Sequence, residues 1–446
     1  MSRYIYSLND YHAIKRAEIQ IDGITVLAGK NGSGKSTLAK WLYYIVNGTA
    51  NFDAYVFDDY INGLMGIVDD LRKVNGDIVR GMSNYSSSLN IFVKAIHELL
   101  RLKDSDNIEK VEIAFAVFKQ VLDKFCESFE KFVSQNPSLG VKDRLLNFFG
   151  IDTSGDIDDM QALDRLRNKV FSHAEKLLNG YYSMKENRNQ DDFFALLVRE
   201  YGIDYNIPQN IQLEEDDVKL FQDGKVNILL NLEKAIYIDS PMAVANGSLY
   251  DGRNNEWSRL QEMMLKERGN VKKNGVVGEL LFYIKNLLGG EVAVKKDELN
   301  RKELHYVRKD GLNIRLDEVA TGFKAFSYIQ RLLENGHLDK RTLLLIDEPE
   351  AHLHPQWIVE FARLLVRLNK KLGVKVMLAS HNPDMVAAIR AIAEKEEVLH
   401  VTRFYLAQPA EQLFTFEYKS LGTDIEEIFA SFNIAYQRIE EYGTSV

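Results

Sequence analysis

One cysteine, Cys126, stands in 446 residues. That excludes an internal disulfide framework and suits a reducing compartment, so a cytoplasmic location is expected. No apolar run approaches the roughly 20 residues needed to cross a bilayer, and Met1-Ser2-Arg3-Tyr4 is followed by no signal-peptide apolar core. The expectation is a chain with no membrane contact. Positive charge is in deficit, with 56 Lys and Arg against 65 Asp and Glu for a net charge of -9. This excludes indiscriminate nucleic-acid binding by the whole surface and confines any such role to a local basic patch. Internal repeats and low-complexity tracts are also absent, and the ordinary apolar and charged fractions predict two or three domains with a large core.

What is present begins with Leu27-Ala28-Gly29-Lys30-Asn31-Gly32-Ser33-Gly34-Lys35-Ser36-Thr37, which fits the phosphate-loop pattern G-x-x-x-x-G-K-[ST] at every fixed position. Glycines let the backbone curl so that successive N–H groups point inward, and a following helix start adds the positive end of its dipole. Lys35 would reach the β- and γ-phosphates of a nucleotide, Ser36 would hold Mg2+ through its hydroxyl, and Thr37 lies beside it in the first turn. The alternative is a glycine-rich turn without a ligand. The motif needs a strand before it and a helix after it, and Ile24 to Ala28 reads as a buried strand. Leu38, Trp41, Leu42 and Ile45 then share one helical face, with Gly48 as a stop signal.

Tyr4 to Ser7 and Ala17 to Ile21 read as a small antiparallel lead-in sheet, where Tyr11 or His12 either stacks on adenine or is a packed aromatic. From Gly66 to Tyr201 the texture turns helical. Ile113, Val117, Val121, Phe125, Phe129 and Phe132 recur at spacings of three and four, with one proline, Pro137. This predicts an inserted helical domain, 66–225, between the halves of an ATPase lobe at 1–65 and 226–446. In the second half, a strand at Lys234 to Asp239 is broken by Pro241. Helices follow at Glu256 to Glu267 and Gly278 to Leu288, then a hairpin in which Leu304 to Arg308 and Leu312 to Leu316 flank Asp310-Gly311.

Thr342 to Ile346 reads as a buried parallel strand ending in Asp347-Glu348-Pro349-Glu350, at the end where α/β sheets place their chemistry. Asp347 suits a magnesium shell and Glu348 is placed to polarise an attacking water, against the alternative of an acidic loop capping the helix near Pro355. The strand Val374 to Ala379 ends in Ser380-His381-Asn382-Pro383, so that His381 can hydrogen-bond a γ-phosphate.

Lys35, Asp347, Glu348 and His381 together resemble the ATP-binding-cassette class of ATPases, particularly the branch shared by SMC, RecF-like and OLD-type proteins. The resemblance covers roughly 1–65 and 226–430. It implies an α/β fold, an ABC-type P-loop head with a large inserted helical domain, using ATP and Mg2+. Asn31 to Thr37 would cradle the phosphates, Ser36 and Asp347 would hold the metal, and Glu348 and His381 would be catalytic. Glu318 to Lys324 occupies the place of the class signature, about 25 residues before Asp347, with Gly322 matching and Thr321 standing in for serine. In the family this segment touches the γ-phosphate held by a second subunit, which implies a homodimer or higher assembly. Asp347 to Pro355 is similar to bacterial AAA/ABC-type proteins, many of which resemble phage-defence components.

Two features depart from the pattern. Asn51 to Asp59 contains no glutamine for the magnesium-sensing loop, and His352, His354 and His381 invite a zinc reading that lacks a nearby cysteine.

Three roles follow. The first is an ATP-switched dimer controlling a separate effector protein, since the 65 residues after His381 are too few for the nuclease domain of OLD-type relatives. DNA or RNA contact would then fall on Lys266 to Lys309, which carries 11 Lys and Arg against 6 Asp and Glu; a solvated charged face is the alternative. The second is a ribonuclease gated by the ATPase, because Arg167 to His173 looks like the R-[polar]-x4-H motif of HEPN ribonucleases. The third is a transporter ATPase subunit, against which stands the long separation of Lys35 from Asp347.

Overall fold

The computed structural model describes residues 2–78, 86–101, 107–135, 158–203, 206–239, 256–266, 275–431 and 442. They divide into two compact units, one of Met1–Ala50 with Phe193–Val446 and the other of Asn51–Asp192.

The strands, in chain order, are β1 (Tyr4–Tyr11), β2 (Ile14–Ile21), β3 (Ile24–Ala28), β4 (Asn210–Glu215), β5 (Val218–Lys219), β6 (Phe221–Gln222), β7 (Lys225–Val226) and β8 (Lys234–Ile238). Then come β9 (Gly290–Lys296), β10 (Lys302–Arg308), β11 (Asn313–Arg315), β12 (Thr342–Asp347), β13 (Lys375–Ser380), β14 (Thr402–Pro409) and β15 (Phe416–Gly422). Among the described residues ten of them form one sheet, ordered β5-β4-β1-β2-β15-β14-β3-β13-β12-β8. From β14 to β8 every neighbour is parallel. Every residue of β3, β8, β12 and β13 is buried, as continuous apolar runs are when both faces of a parallel sheet are covered. β1 instead alternates, burying Tyr4, Tyr6 and Leu8.

The helices are α1 (Lys35–Ala50), α2 (Phe52–Ile78), α3 (Ser86–Arg101), α4 (Asn107–Gln135), α5 (Asp159–Asn187), α6 (Gln190–Tyr201), α7 (Glu256–Leu265), α8 (Val276–Leu288), α9 (Thr321–Glu334), α10 (Pro355–Leu372) and α11 (Pro383–Lys395). α9 and α10 meet through an aromatic cluster, with Phe326 5.0 Å from Phe361 and 5.2 Å from Trp357 between ring centroids. α1 runs past the expected stop at Gly48. That glycine is a contact point instead, since a β-carbon there would lie 2.4 Å from Leu197 Cδ2. The expected hairpin forms at Asp310-Gly311, where Gly311 takes φ +93°, and β9 extends it to three strands. Pro241 lies outside the described residues.

The second unit holds α2 to α5. On α4 the buried face is Val111, Ala114, Phe118, Val121, Leu122, Phe125, Cys126 and Phe129, whereas Ile113 is exposed. The buried stripe thus starts on the neighbouring positions and joins the expected one only at Val121. The Phe132 side chain and Pro137 lie outside the described residues. This unit begins and ends earlier than 66–225, for two reasons. α2 already starts at Phe52, and β4 pairs antiparallel with β1, Tyr4 opposite Glu215, which draws residues 210–226 into the first unit.

Candidate functional site

Four parallel strands end in register. Ser380 is opposite Ala28, Ala379 opposite Asp347 and Ile346 opposite Ile238. The phosphate loop, His381, Asp347-Glu348 and Asp239 therefore leave the sheet at one edge, beside the point where β3 is flanked by β13 and β14.

The loop's shape depends on glycine at 34, which adopts φ +91° and where a β-carbon would sit 2.6 Å from Ile14 Cγ1. Tyr418 donates from its hydroxyl to the Ser33 carbonyl at 3.1 Å, and the Ser33 N–H donates to the Lys30 carbonyl at 3.3 Å. Asn31 and Gly32 form the exposed rim, Ser36 is exposed at the start of α1, and Thr37 is half-buried behind it. No acidic residue occupies the first turn of α1, which leaves the positive end of the helix dipole free for an anion.

Lys35 is 6% exposed, and its Nζ donates to the carbonyls of Gly29 and Lys30, both at 2.9 Å. Burial lowers its pKa, opposed by the carboxylates of Asp347, Glu348 and Glu350. Asp347 is 5% exposed. Its Oδ2 accepts from the Tyr237 hydroxyl at 3.3 Å and the carboxylate also accepts from Ser36, while Oδ1 has no partner among the described residues. Burial raises the Asp347 pKa, and the charges of Asp239 and Glu348 push the same way against the two hydrogen bonds. Glu348 takes the left-handed conformation, φ 48°, and its Oε1 lies 3.3 Å from His381 Nδ1.

This arrangement fits a nucleotide with a hard divalent cation. A buried ammonium rests on loop carbonyls that phosphate oxygens would replace, and a buried carboxylate with an unpaired oxygen sits beside a serine hydroxyl. The structure thus gathers Lys35, Ser36, Asp347, Glu348 and His381. Gly322, at the start of α9, packs against the turn after Asp347: a β-carbon there would be 3.1 Å from Leu353 Cδ2 and 3.6 Å from the His352 carbonyl. His354 caps α10, its Nδ1 accepting from the Gln356 N–H at 3.4 Å. Tyr11 is a packed aromatic, its hydroxyl donating to the Asn206 carbonyl and its ring meeting His12 and Trp41.

Three contributors were not singled out from the sequence: Tyr237, Asp239 and Glu350. A tyrosine in a fully buried strand must find a partner for its hydroxyl, which was a signal for Tyr237. The edge strand β8 brings Asp239 beside the Asp347 strand, a placement no local pattern reveals.

Asp347→Asn is expected to raise the thermal midpoint of the nucleotide-free protein. An aspartate whose folded pKa is raised loses stability as pH climbs through the carboxylate range, because the folded state binds the proton more tightly than the unfolded one. The asparagine variant's advantage should therefore be small near pH 3 and grow toward pH 7. Melting both proteins across that range is the test, and an advantage that does not change with pH would contradict the burial argument.

Outside this edge, Arg167 and His173 both lie on the unbroken α5, six residues and about 9 Å apart along the axis. Arg167 is ion-paired with Asp123. Of the basic stretch, Lys285 pairs with Glu291 and Glu334, Arg301 with Asp297 and Arg308 with Asp310. Lys296 faces Lys302 across the β9–β10 ladder, next to Lys295; Lys272 and Lys273 lie outside the described residues.

Among known proteins, the chain is 21% identical to endonuclease GajA of Bacillus cereus (strain HuB5-5), over 91% of this chain and 61% of the relative. It is 27% identical to the energy-coupling factor transporter ATP-binding protein EcfA3 of Clostridium perfringens, over 31% of this chain and 50% of the relative. The chain thus spans less than two thirds of the length of either. The SMC head domain from Thermotoga maritima aligns over 94% of the chain and 98% of its own, at 10% identity and a TM-score of 0.34. No helix among the described residues is long and apolar enough to cross a membrane. The strand, loop and carboxylate order agrees with an ABC/AAA-type ATPase, and the chain belongs to the family described as AAA domain, putative AbiEii toxin, Type IV TA system, which matches residues 24–387.

Proposed function

We propose that this chain binds Mg2+ and ATP at the carboxyl edge of its sheet, hydrolyses the ATP, and uses the cycle to open and close a dimer that controls a separate effector in the cytoplasm. The observation that carries the proposal is the convergence of Lys35, Ser36, Asp347, Glu348 and His381 on one sheet edge.

Lys35 leaves the Gly29 and Lys30 carbonyls to neutralise phosphate charge, and the loop from Asn31 to Gly34 with the first turn of α1 orients the phosphates. Ser36 and Asp347 hold the cation, which when bound supplies charge neutralisation at the phosphates. Glu348 takes the proton of the attacking water and His381 hydrogen-bonds the γ-phosphate. Thr321 and Gly322 serve the nucleotide of the second subunit in a two-fold arrangement. Calorimetric titration of nucleotide into the apo protein tests the binding step: ATP binds, and more tightly with Mg2+. No heat at any accessible concentration would refute it.

Likeness to an endonuclease supports an effector that acts on nucleic acid. Contact with DNA or RNA would centre on Lys296 and Lys302, which face each other across the ladder. Binding should then fall steeply with salt, and charge reversal of Lys296 and Lys302 should reduce the slope of log affinity against log salt by about 2. A slope unchanged in that variant, measured by fluorescence anisotropy, would make the stretch a solvated face.

A further inference from the structure

His381 and Glu348 do not hold each other in place. Their side chains are 41% and 36% exposed, and a pair that open to water is worth at most about 1 kcal/mol. The restraint comes from a third residue. Glu350 is 5% exposed, and its Oε1 accepts from Ser380 Oγ at 2.8 Å and from the His381 backbone N–H at 3.1 Å, lying 3.7 Å from His381 Nδ1. Ser380 Oγ accepts in turn from the Asn382 N–H at 3.1 Å. The Asn382 side chain caps α11 by accepting from the N–H groups of Asp384 and Met385 at 2.7 and 3.3 Å. One carboxylate therefore ties the turn after β12 to the start of α11, with His381 between them.

The turn itself is wound tightly. Glu348 and His352 both have positive φ, 48° and 60°. The Glu348 N–H donates to the Ala379 carbonyl at 2.8 Å, and the N–H groups of Ala351 and Leu353 donate to the carbonyls of Glu348 and Glu350, both at 2.9 Å. A segment restrained at this many points moves as a body, so a displacement of residues 348–353 would carry Glu350 with it. Burying a carboxylate is costly, and here burial raises the Glu350 pKa while Oε2 has no partner among the described residues. An apolar residue would fill the space at less cost, which points away from a purely stabilising role.

We infer that Glu350 is a positioning residue that sets His381 beside Glu348 and couples His381 to movement of the 348–353 turn. This rests on the ATPase reading above only for its effect on turnover, because the placement of His381 is a property of the nucleotide-free chain.

The test uses Glu350→Ala, Glu350→Gln and Ser380→Ala in the full chain. Its readouts are the 15N resonances of the His381 imidazole without nucleotide, ATP affinity by calorimetry, and kcat and KM for phosphate release. Glu350→Ala should shift the His381 resonances and lower kcat by about tenfold to a hundredfold while leaving KM and ATP affinity nearly unchanged. Glutamine keeps an acceptor oxygen for Ser380 and the His381 N–H, though a weaker one, and should restore kcat to within about threefold. Ser380→Ala should shift His381 in the same direction by less, which keeps the inference testable if Glu350→Ala does not fold. His381 resonances unmoved in both Glu350→Ala and Ser380→Ala, or a glutamine variant no better than alanine, would overturn it. If the wild type hydrolyses no ATP the proposed function fails, while the imidazole resonances still decide the role of Glu350.

Discussion

Lys35→Ala should weaken ATP binding by at least about a hundredfold. The side chain is buried, its ammonium already donates to two loop carbonyls, and burial depresses its pKa, so it is a poorly hydrated donor waiting for a better acceptor. A charge-assisted hydrogen bond contributes roughly 1.5 to 3 kcal/mol, and the lysine would make such bonds to the β- and γ-phosphates. Two of them removed together amount to about 3 kcal/mol or more, which is the hundredfold. Nearby carboxylates enlarge the effect: without the lysine, Asp347 and Glu348 stand beside the phosphates with one cation fewer between them. Titration calorimetry of both proteins reads the difference, and equal affinities would mean that this loop is not the nucleotide site.

Glu348→Gln should have the opposite signature, with binding kept and the cycle stopped. Glutamine is nearly isosteric and makes the same demand on the left-handed backbone at φ 48°, so the turn should survive. What it loses is the ability to accept a proton, and removal of a general base slows turnover by about 10² to 10⁴. If ATP binds the closed dimer better than the open protein, slow hydrolysis lets the closed state accumulate. The expected result is a doubling of molar mass on adding ATP, read by light scattering during size-exclusion chromatography. Gly322→Asp in the same background should abolish it, by adding negative charge to the segment proposed to receive the second subunit's γ-phosphate. A Glu348→Gln protein that binds ATP and stays monomeric at every accessible concentration would contradict the shared site.

The parts of the site that were legible in the sequence are the parts that local chemistry dictates. Gly34 is demanded by a positive φ and the nearness of Ile14, and Lys35 follows it at a fixed offset. Asp347 and His381 end buried apolar strands, so their emergence at one edge follows from parallel pairing alone. Contacts between residues distant in sequence were not legible. Glu350 gains its meaning from Ser380 and His381, thirty residues on, and Gly48 from Leu197. The same reason moved the domain boundary, because the pairing of β4 with β1 joins residues some two hundred apart. On α4 the stripe was misplaced at its start because Ile113 and Val117 are apolar without being core, and periodicity does not distinguish a buried apolar residue from an exposed one.

The most direct test of the account is the rate of phosphate release by wild type and Glu348→Gln, each saturated with ATP and Mg2+ and each first shown by calorimetry to bind. Steady release by the wild type, with a loss of at least about a hundredfold in the variant, is the predicted result. No release by a wild type that binds ATP, or the same rate from both proteins, would contradict it.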